Sequence, residues 1–270
     1  MKIDWSENDF VTHWKYYKPP ARASPSDLEF IKNKILEKGK EVKVLILGAT
    51  PEYRELCGNL DIPVALLDFS RNNYEYLSDE VFNAPKEMFI EGNWLHSKLS
   101  DKFDIILGDN VINVLPKKDI PLFFKNVANM LKKDGFFMPR SYIRTPEETN
   151  FKVEEGIKEY RKKKHIYGLY TGMSRAFYIG AYNFKDDVSF LKDWFKAAEK
   201  MYKKGLINKK ELDFFLDKVG WKDREFQFFI PLDKELTGTI SEHFDILEVF
   251  YGTEPYLENK LPLHVLKVKR

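Results

Sequence analysis

A short apolar run, Val42-Lys43-Val44-Leu45-Ile46-Leu47, breaks into Gly48-Ala49-Thr50-Pro51-Glu52, and a second run, Val64-Ala65-Leu66-Leu67, ends on Asp68. Runs of this length and branching suit strands buried on both faces of a parallel sheet. Gly48 permits a sharp turn, Thr50 stands where a helix cap belongs, Pro51 suits the first helical position, and Glu52 places an anion near the positive end of the helix dipole. Such a turn presents backbone N–H groups to a ligand. The next strand brings Asp68 to the same sheet edge about twenty residues after the glycine, where a carboxylate is placed to accept both hydroxyls of a ribose. The pair predicts an α/β chain carrying half of a nucleoside site.

Further short apolar runs at Met88–Ile90, Phe103–Leu107 and Phe136–Met138 alternate with helical spacing at 72–82 and 117–131, the second closed by Lys132-Lys133-Asp134 and a stop at Gly135. This alternation predicts a doubly wound, mostly parallel sheet with right-handed crossovers. Ahead of it, 1–39 reads as an aromatic arm with Trp5, Trp14, Tyr16 and Tyr17, followed by a helix that starts at Ser24-Pro25-Ser26-Asp27. The core runs over 40–145. A charged, amphipathic stretch at 146–240 reads as a mainly helical insertion, and 241–270 closes the chain with two strand-like runs, Phe244–Tyr251 and Leu263–Val268, expected as an antiparallel hairpin at the sheet edge.

Composition bounds the partners. With 44 basic and 42 acidic residues the net charge is only +2, which gives no reason to expect nucleic acid or an anionic membrane. A single cysteine, Cys57, excludes an internal disulfide and fits a reducing cytoplasm. The five histidines show no metal-ligand spacing, so no metal is assigned. No window approaches the length of a membrane span. The run Arg161-Lys162-Lys163-Lys164-His165 follows Glu154, Glu155 and Glu159, and reads as a solvated helix face rather than an RNA-docking patch.

Two more strand ends, Glu91-Gly92-Asn93-Trp94 and Gly108-Asp109-Asn110, converge on the same sheet edge, where open α/β sheets bind their ligands. With Leu47-Gly48-Ala49-Thr50-Pro51-Glu52, Leu67-Asp68-Phe69-Ser70, Phe103-Asp104 and Asp134-Gly135-Phe136-Phe137-Met138-Pro139-Arg140, the chain resembles the class I S-adenosylmethionine-dependent methyltransferases, in particular a subgroup whose first motif reads Gly-x-Thr-Pro-Glu. The resemblance covers about 42–145 and, more weakly, the closing hairpin. It departs from most of that superfamily in carrying one glycine in the first motif instead of two or three.

The resemblance implies a seven-stranded Rossmann-like methyltransferase fold, S-adenosylmethionine as cofactor and S-adenosylhomocysteine as product. It places the cofactor against Gly48, Ala49 and Thr50, with Asp68 at the ribose and Phe69 and Ser70 flanking the adenine. Asn93 would meet the adenine edge, Trp94 its face, and Asp109 and Asn110 the methionine end; Arg140 is a weaker candidate there. Asp109 is also the candidate general base, with His165 beside it as an alternative. Tyr16, Tyr17 and Arg22 in the arm are candidates for a lid, because methyl transfer needs a closed, dry site. Each residue has an ordinary structural role as well: Asp68 and Asp109 as helix caps, Trp94 as a core plug.

The function expected first is methyl transfer to a small-molecule acceptor. An RNA or protein acceptor, a non-catalytic S-adenosylmethionine-binding protein, and a nicotinamide-dependent oxidoreductase on a similar sheet stay open. The acceptor atom and the oligomeric state are not legible in the sequence.

Overall fold

The computed structural model describes residues 14, 17–19, 21–219, 227–253 and 260–269, without the side chains of 163–171 and 218–219. The lid candidate Tyr16 and the side chain of His165 lie outside the described residues. The helix signal at Ser24 is realised as α1 (Pro25–Glu37), where the Ser24 hydroxyl accepts the Asp27 N–H at 3.2 Å and the Asp27 carboxylate accepts the Ser24 N–H at 2.9 Å. This reciprocal cap satisfies two donors that the first turn leaves without helical partners.

The doubly wound core follows as β1 (Val44–Leu47), α2 (Pro51–Asn59), β2 (Val64–Asp68), α3 (Arg71–Ser78), β3 (Glu87–Glu91), β4 (Phe103–Asp109), α4 (Ile120–Met130) and β5 (Leu131–Arg140). All four pairings among these strands are parallel, with Val44 in register with both Val64 and Ile105. Two expected helices are shorter than their spacing suggests: α3 ends at Ser78 rather than 82, and α4 ends at Met130. Gly135 is not the stop of α4. Leu131 is already extended and pairs with Phe103, and Lys132 Nζ meets Asp104 at 2.7 Å, so strand pairing captures the residues that resembled a basic helix end. Burial of Leu131 and the partner strand outweigh local helix propensity.

The region after β5 contains α5 (Val153–Gly180), β6 (Ser189–Phe190), α6 (Leu191–Lys203), α7 (Lys209–Val219), β7 (Gln227–Phe228) and α8 (Asp233–Ile240). A Cβ on Gly156 would stand 2.7 Å from Ala176, and one on Gly180 would stand 2.5 Å from the Val153 nitrogen. The ends of α5 therefore lie against each other and the element doubles back. The two-residue ribbon of β6 and β7 was not signalled by the sequence pattern. Arg161 is not simply solvated: it pairs with Glu211 and donates to the Leu206 carbonyl at 3.1 Å.

The chain closes through β8 (Phe244–Phe250) and β9 (Leu263–Val268), both antiparallel to their neighbours. The sheet order is β3-β2-β1-β4-β5-β9-β8, so β9 is interior and only β8 lies at that edge. One face is covered by α1 and α2 over Ile31, Ile35, Tyr53 and Cys57, the other by α4 and α8 over Phe123, Phe124 and Ile240. The strand order reverses between β1 and β4, which sets the crevice at their carboxyl ends. Among the described residues no helix is long and apolar enough to cross a membrane.

Candidate functional site

The loop leaving β1 is built on Gly48 at φ +94°, a conformation that costs a residue with a Cβ about 1–2 kcal/mol. Its N–H donates to the Leu67 carbonyl at 2.9 Å, which ties the loop to β2. A Cβ built on Gly48 would stand 3.8 Å from Asp68 Oδ2 and 3.8 Å from Trp94 Cζ2. Three separate strand ends thus meet at one point. Thr50 occupies the N-cap position of α2, but its hydroxyl makes no capping hydrogen bond; it is buried beside Ala49.

Asp68 is buried at the end of β2, where its Oδ1 accepts the Ser70 N–H at 2.9 Å. Burial pushes its carboxyl up to about 7, against the opposing pull of the Ser70 and Phe69 N–H groups. Among the described residues no ion pair reaches it. Ser70 itself caps α3 by accepting the Asn73 N–H at 3.2 Å. Asn93 is exposed, and its Oδ1 accepts the Leu95 N–H at 2.8 Å in a local turn. Trp94 is half-buried: its indole N–H donates to the Leu67 carbonyl at 2.7 Å while the ring packs toward Phe123. The structure gives Trp94 an anchoring role at the β2 exit and brings Cζ2 of its ring beside Gly48.

Across the crevice, Asp109 ends β4 against Arg140, which ends β5. Arg140 Nε donates to Asp109 Oδ1 at 2.9 Å, its Nη2 reaches Oδ2 at 3.2 Å, and the Asn110 amide donates to Oδ1 at 3.1 Å. Burial pushes the Asp109 carboxyl up to about 6 although the guanidinium opposes the shift. Asp109 does not cap a helix. Asn110 takes the left-handed conformation at φ +53° and donates its N–H to the Arg140 carbonyl at 2.7 Å, fixing the two strand ends together.

This end holds groups that no motif announced. Asp27, from the cap of α1, stands 3.8 Å from Arg140. Tyr53, on the buried side of α2, has a hydroxyl with no hydrogen-bond partner among the described residues, and its burial near Asp109 raises its ionisation well above the usual phenol range. Asn113 is almost wholly buried and joins three segments. Its amide donates to the Tyr142 carbonyl at 2.7 Å and the Phe229 carbonyl at 2.9 Å, its Oδ1 accepts the Tyr142 N–H at 2.8 Å, and its own carbonyl accepts the Phe229 N–H at 2.9 Å. An asparagine two residues beyond Val111 has no sequence signal that separates it from any loop polar group.

The arm reaches the crevice from outside. Arg22 pairs with Glu52 in the first turn of α2 and lies 5.1 Å over the Trp14 ring. Trp14 and Tyr17 share one apolar cluster with Ala49, Phe69, Phe177 and Trp194, so the arm, the loop after β1 and the helices after β5 share one continuous apolar layer. Among the described residues no group of His, Cys, Asp or Glu is arranged to hold a metal ion.

No protein-family model matches the chain. No curated protein sequence matches it either. Solved structures do. One from Rhodobacter sphaeroides, described as a Zn-dependent alcohol dehydrogenase, is similar over 97% of this chain and 99% of its own, with a TM-score of 0.59 and 14% identity. The glycopeptide N-methyltransferase MtfA, in complex with S-adenosyl-L-homocysteine, matches 96% of each chain with a TM-score of 0.55 and 9% identity. An S-adenosylmethionine-dependent methyltransferase from Methanosarcina mazei matches 92% of this chain and all of its own, with a TM-score of 0.53 and 15% identity. At these identities the likeness concerns architecture, and together with the strand order it shows that this chain has the Rossmann-like fold of the class I methyltransferases.

Proposed function

We propose that the protein transfers a methyl group from S-adenosylmethionine to a small-molecule acceptor. The observation that carries this reading is the meeting of Gly48, Asp68 and Trp94 within 3.8 Å of one point at the strand-order reversal. A backbone turn without a Cβ leaves room for a nucleoside, and a buried carboxylate without a cation partner suits a pair of ribose hydroxyls. The neighbours that bind S-adenosylhomocysteine support the same choice of cofactor.

In this reading Asp68 holds the ribose, Gly48 and Ala49 pass beneath the methionine portion, and Thr50 backs the loop. Phe69 and Ser70 border the adenine, with the exposed Asn93 at its edge. S-adenosylmethionine, when bound, supplies a methyl group already made electrophilic by its sulfonium. The chain then has to orient and exclude water, and well-oriented reactants account for about 7–11 kcal/mol of barrier lowering at best. Asp109 has both carboxylate oxygens engaged by Arg140 and one also by Asn110. We therefore read it as a group that positions the methionine end rather than as a general base. Arg22 and Tyr17, with Trp14 beside them, form the lid over that end. A reducing cytoplasm is the setting that the lone Cys57 suits.

The Rhodobacter neighbour favours one second reading, a nicotinamide-dependent oxidoreductase, since an acidic residue after the second strand also serves a dinucleotide. Titration calorimetry with S-adenosylmethionine, S-adenosylhomocysteine and NAD separates the two. Micromolar binding of the sulfur nucleosides, lost in Asp68→Ala, is expected. Binding of NAD alone would overturn the proposal in favour of the second reading.

A further inference from the structure

The insertion sets aromatic rings over the exits of β4 and β5. Tyr142, two residues beyond β5, stands 5.3 Å from Tyr178; Tyr178 meets Phe228 edge-on at 5.1 Å, and Phe228 stacks on Trp194 at 5.1 Å. Tyr178 and Phe228 are only half-buried, whereas Trp194 and Tyr142 are buried. Asn113 fixes this wall to the strand ends, because its four hydrogen bonds go to Tyr142 next to the wall's base and to Phe229 next to Phe228. The wall is thus preformed and is tied to the exits of β4 and β5.

Among the described residues the charges near it are paired. Arg140 meets Asp109 at 2.9 Å, Arg144 meets Asp187 at 2.6 Å, and Arg175 meets Glu148 at 3.0 Å and Glu159 at 2.6 Å. Against these described pairs, an anionic ligand would lose its hydration without gaining a cation. A flat ring without negative charge would bury apolar surface and stack.

We infer that the acceptor is an aromatic molecule without negative charge, whose ring stands against Tyr178 and Phe228 while its nucleophilic atom faces the Asp109 end of the crevice. The inference rests on the methyltransferase reading. In the reaction, a lone pair on that atom forms the new bond to the methyl carbon as the carbon–sulfur bond breaks and its electron pair stays on sulfur. Any proton lost by the acceptor leaves to solvent.

The test uses the full chain loaded with S-adenosylhomocysteine and three probes that share one ring: indole, tryptamine and indole-3-acetate, followed by ligand-observed NMR. Indole and tryptamine are expected to bind at least tenfold more tightly than indole-3-acetate. Tyr178→Leu, with its S-adenosylhomocysteine affinity unchanged, should weaken indole about fivefold. Equal or tighter binding of indole-3-acetate, or no binding of any probe to the loaded protein, overturns the inference while leaving the cofactor reading intact. If S-adenosylhomocysteine itself fails to bind in the first titration, the methyltransferase reading falls and takes this inference with it.

Discussion

The two ends of the crevice handle a buried carboxylate in opposite ways. Asp68 has backbone N–H donors but, among the described residues, no ion pair, and its carboxyl is pushed up to about 7; Asp109 is clamped by Arg140 and still lies near 6. In the proposed reading the first charge is left for a ligand to stabilise. The second is stabilised by the protein before any ligand arrives, so Asp109 belongs to the scaffold as much as to the site. In the proposed reading one end is a receptor that changes its protonation on binding, and the other a rigid abutment.

Replacing Arg140 by Met tests this contrast most severely. It leaves Asp109 buried without its cation and should destabilise the fold by about 3–5 kcal/mol at pH 8, read by urea unfolding. A loss as small as that of a surface mutant would mean that Asp109 is not held by Arg140 at all. Asn113→Ala should cost about 2–3 kcal/mol, since it strands the Tyr142 and Phe229 backbone groups at the same end. Unchanged stability there would remove the claim of a preformed wall.

At the receptor end the expected change is in binding, not folding. Asp68→Asn should keep the fold but weaken S-adenosylhomocysteine by about 1.5–3 kcal/mol, the scale of hydrogen bonds to a charged group. If folding rather than binding collapses, Asp68 is scaffold like Asp109. The smallest effect is the pH dependence. The Asp68 carboxyl is raised from 3.8 in the unfolded chain to about 7 in the fold, so its contribution to ligand-free stability is complete below pH 3.8 and is lost as pH rises through about 7. Ribose hydroxyls prefer the ionised form, so affinity should rise with pH and level off above about 7, with proton release on binding near pH 6. Calorimetry in two buffers of different ionisation heat reads that proton. A flat profile in the wild type, or an unchanged slope in Asp68→Asn, would separate Asp68 from the ligand.

The receptor end was legible because its parts are local. Gly48 to Glu52 and Val64 to Asp68 are short unbroken strand–turn segments, and parallel pairing of consecutive strands brings their ends together without further information. Trp94 was legible as a residue near the crevice but not in its orientation, which depends on one hydrogen bond to the Leu67 carbonyl. Arg140 was visible at the end of β5. Tyr53, Asp27 and Asn113 were not seen as site residues, since each is an ordinary helix or loop residue until distant strands surround it.

The sequence by itself determined the sheet, its mostly parallel order and the closing antiparallel pair, because the periodicity of apolar residues reports burial directly. It also placed Gly48 and Asp68 at one edge. Tertiary structure alone decided that Leu131 leaves the helix for a strand, that the ends of α5 meet, and that Arg140 joins Asp109 to Asp27. Those outcomes turn on contacts between residues tens of positions apart. The energy of such a contact belongs to the pair, and neither partner's local sequence carries it.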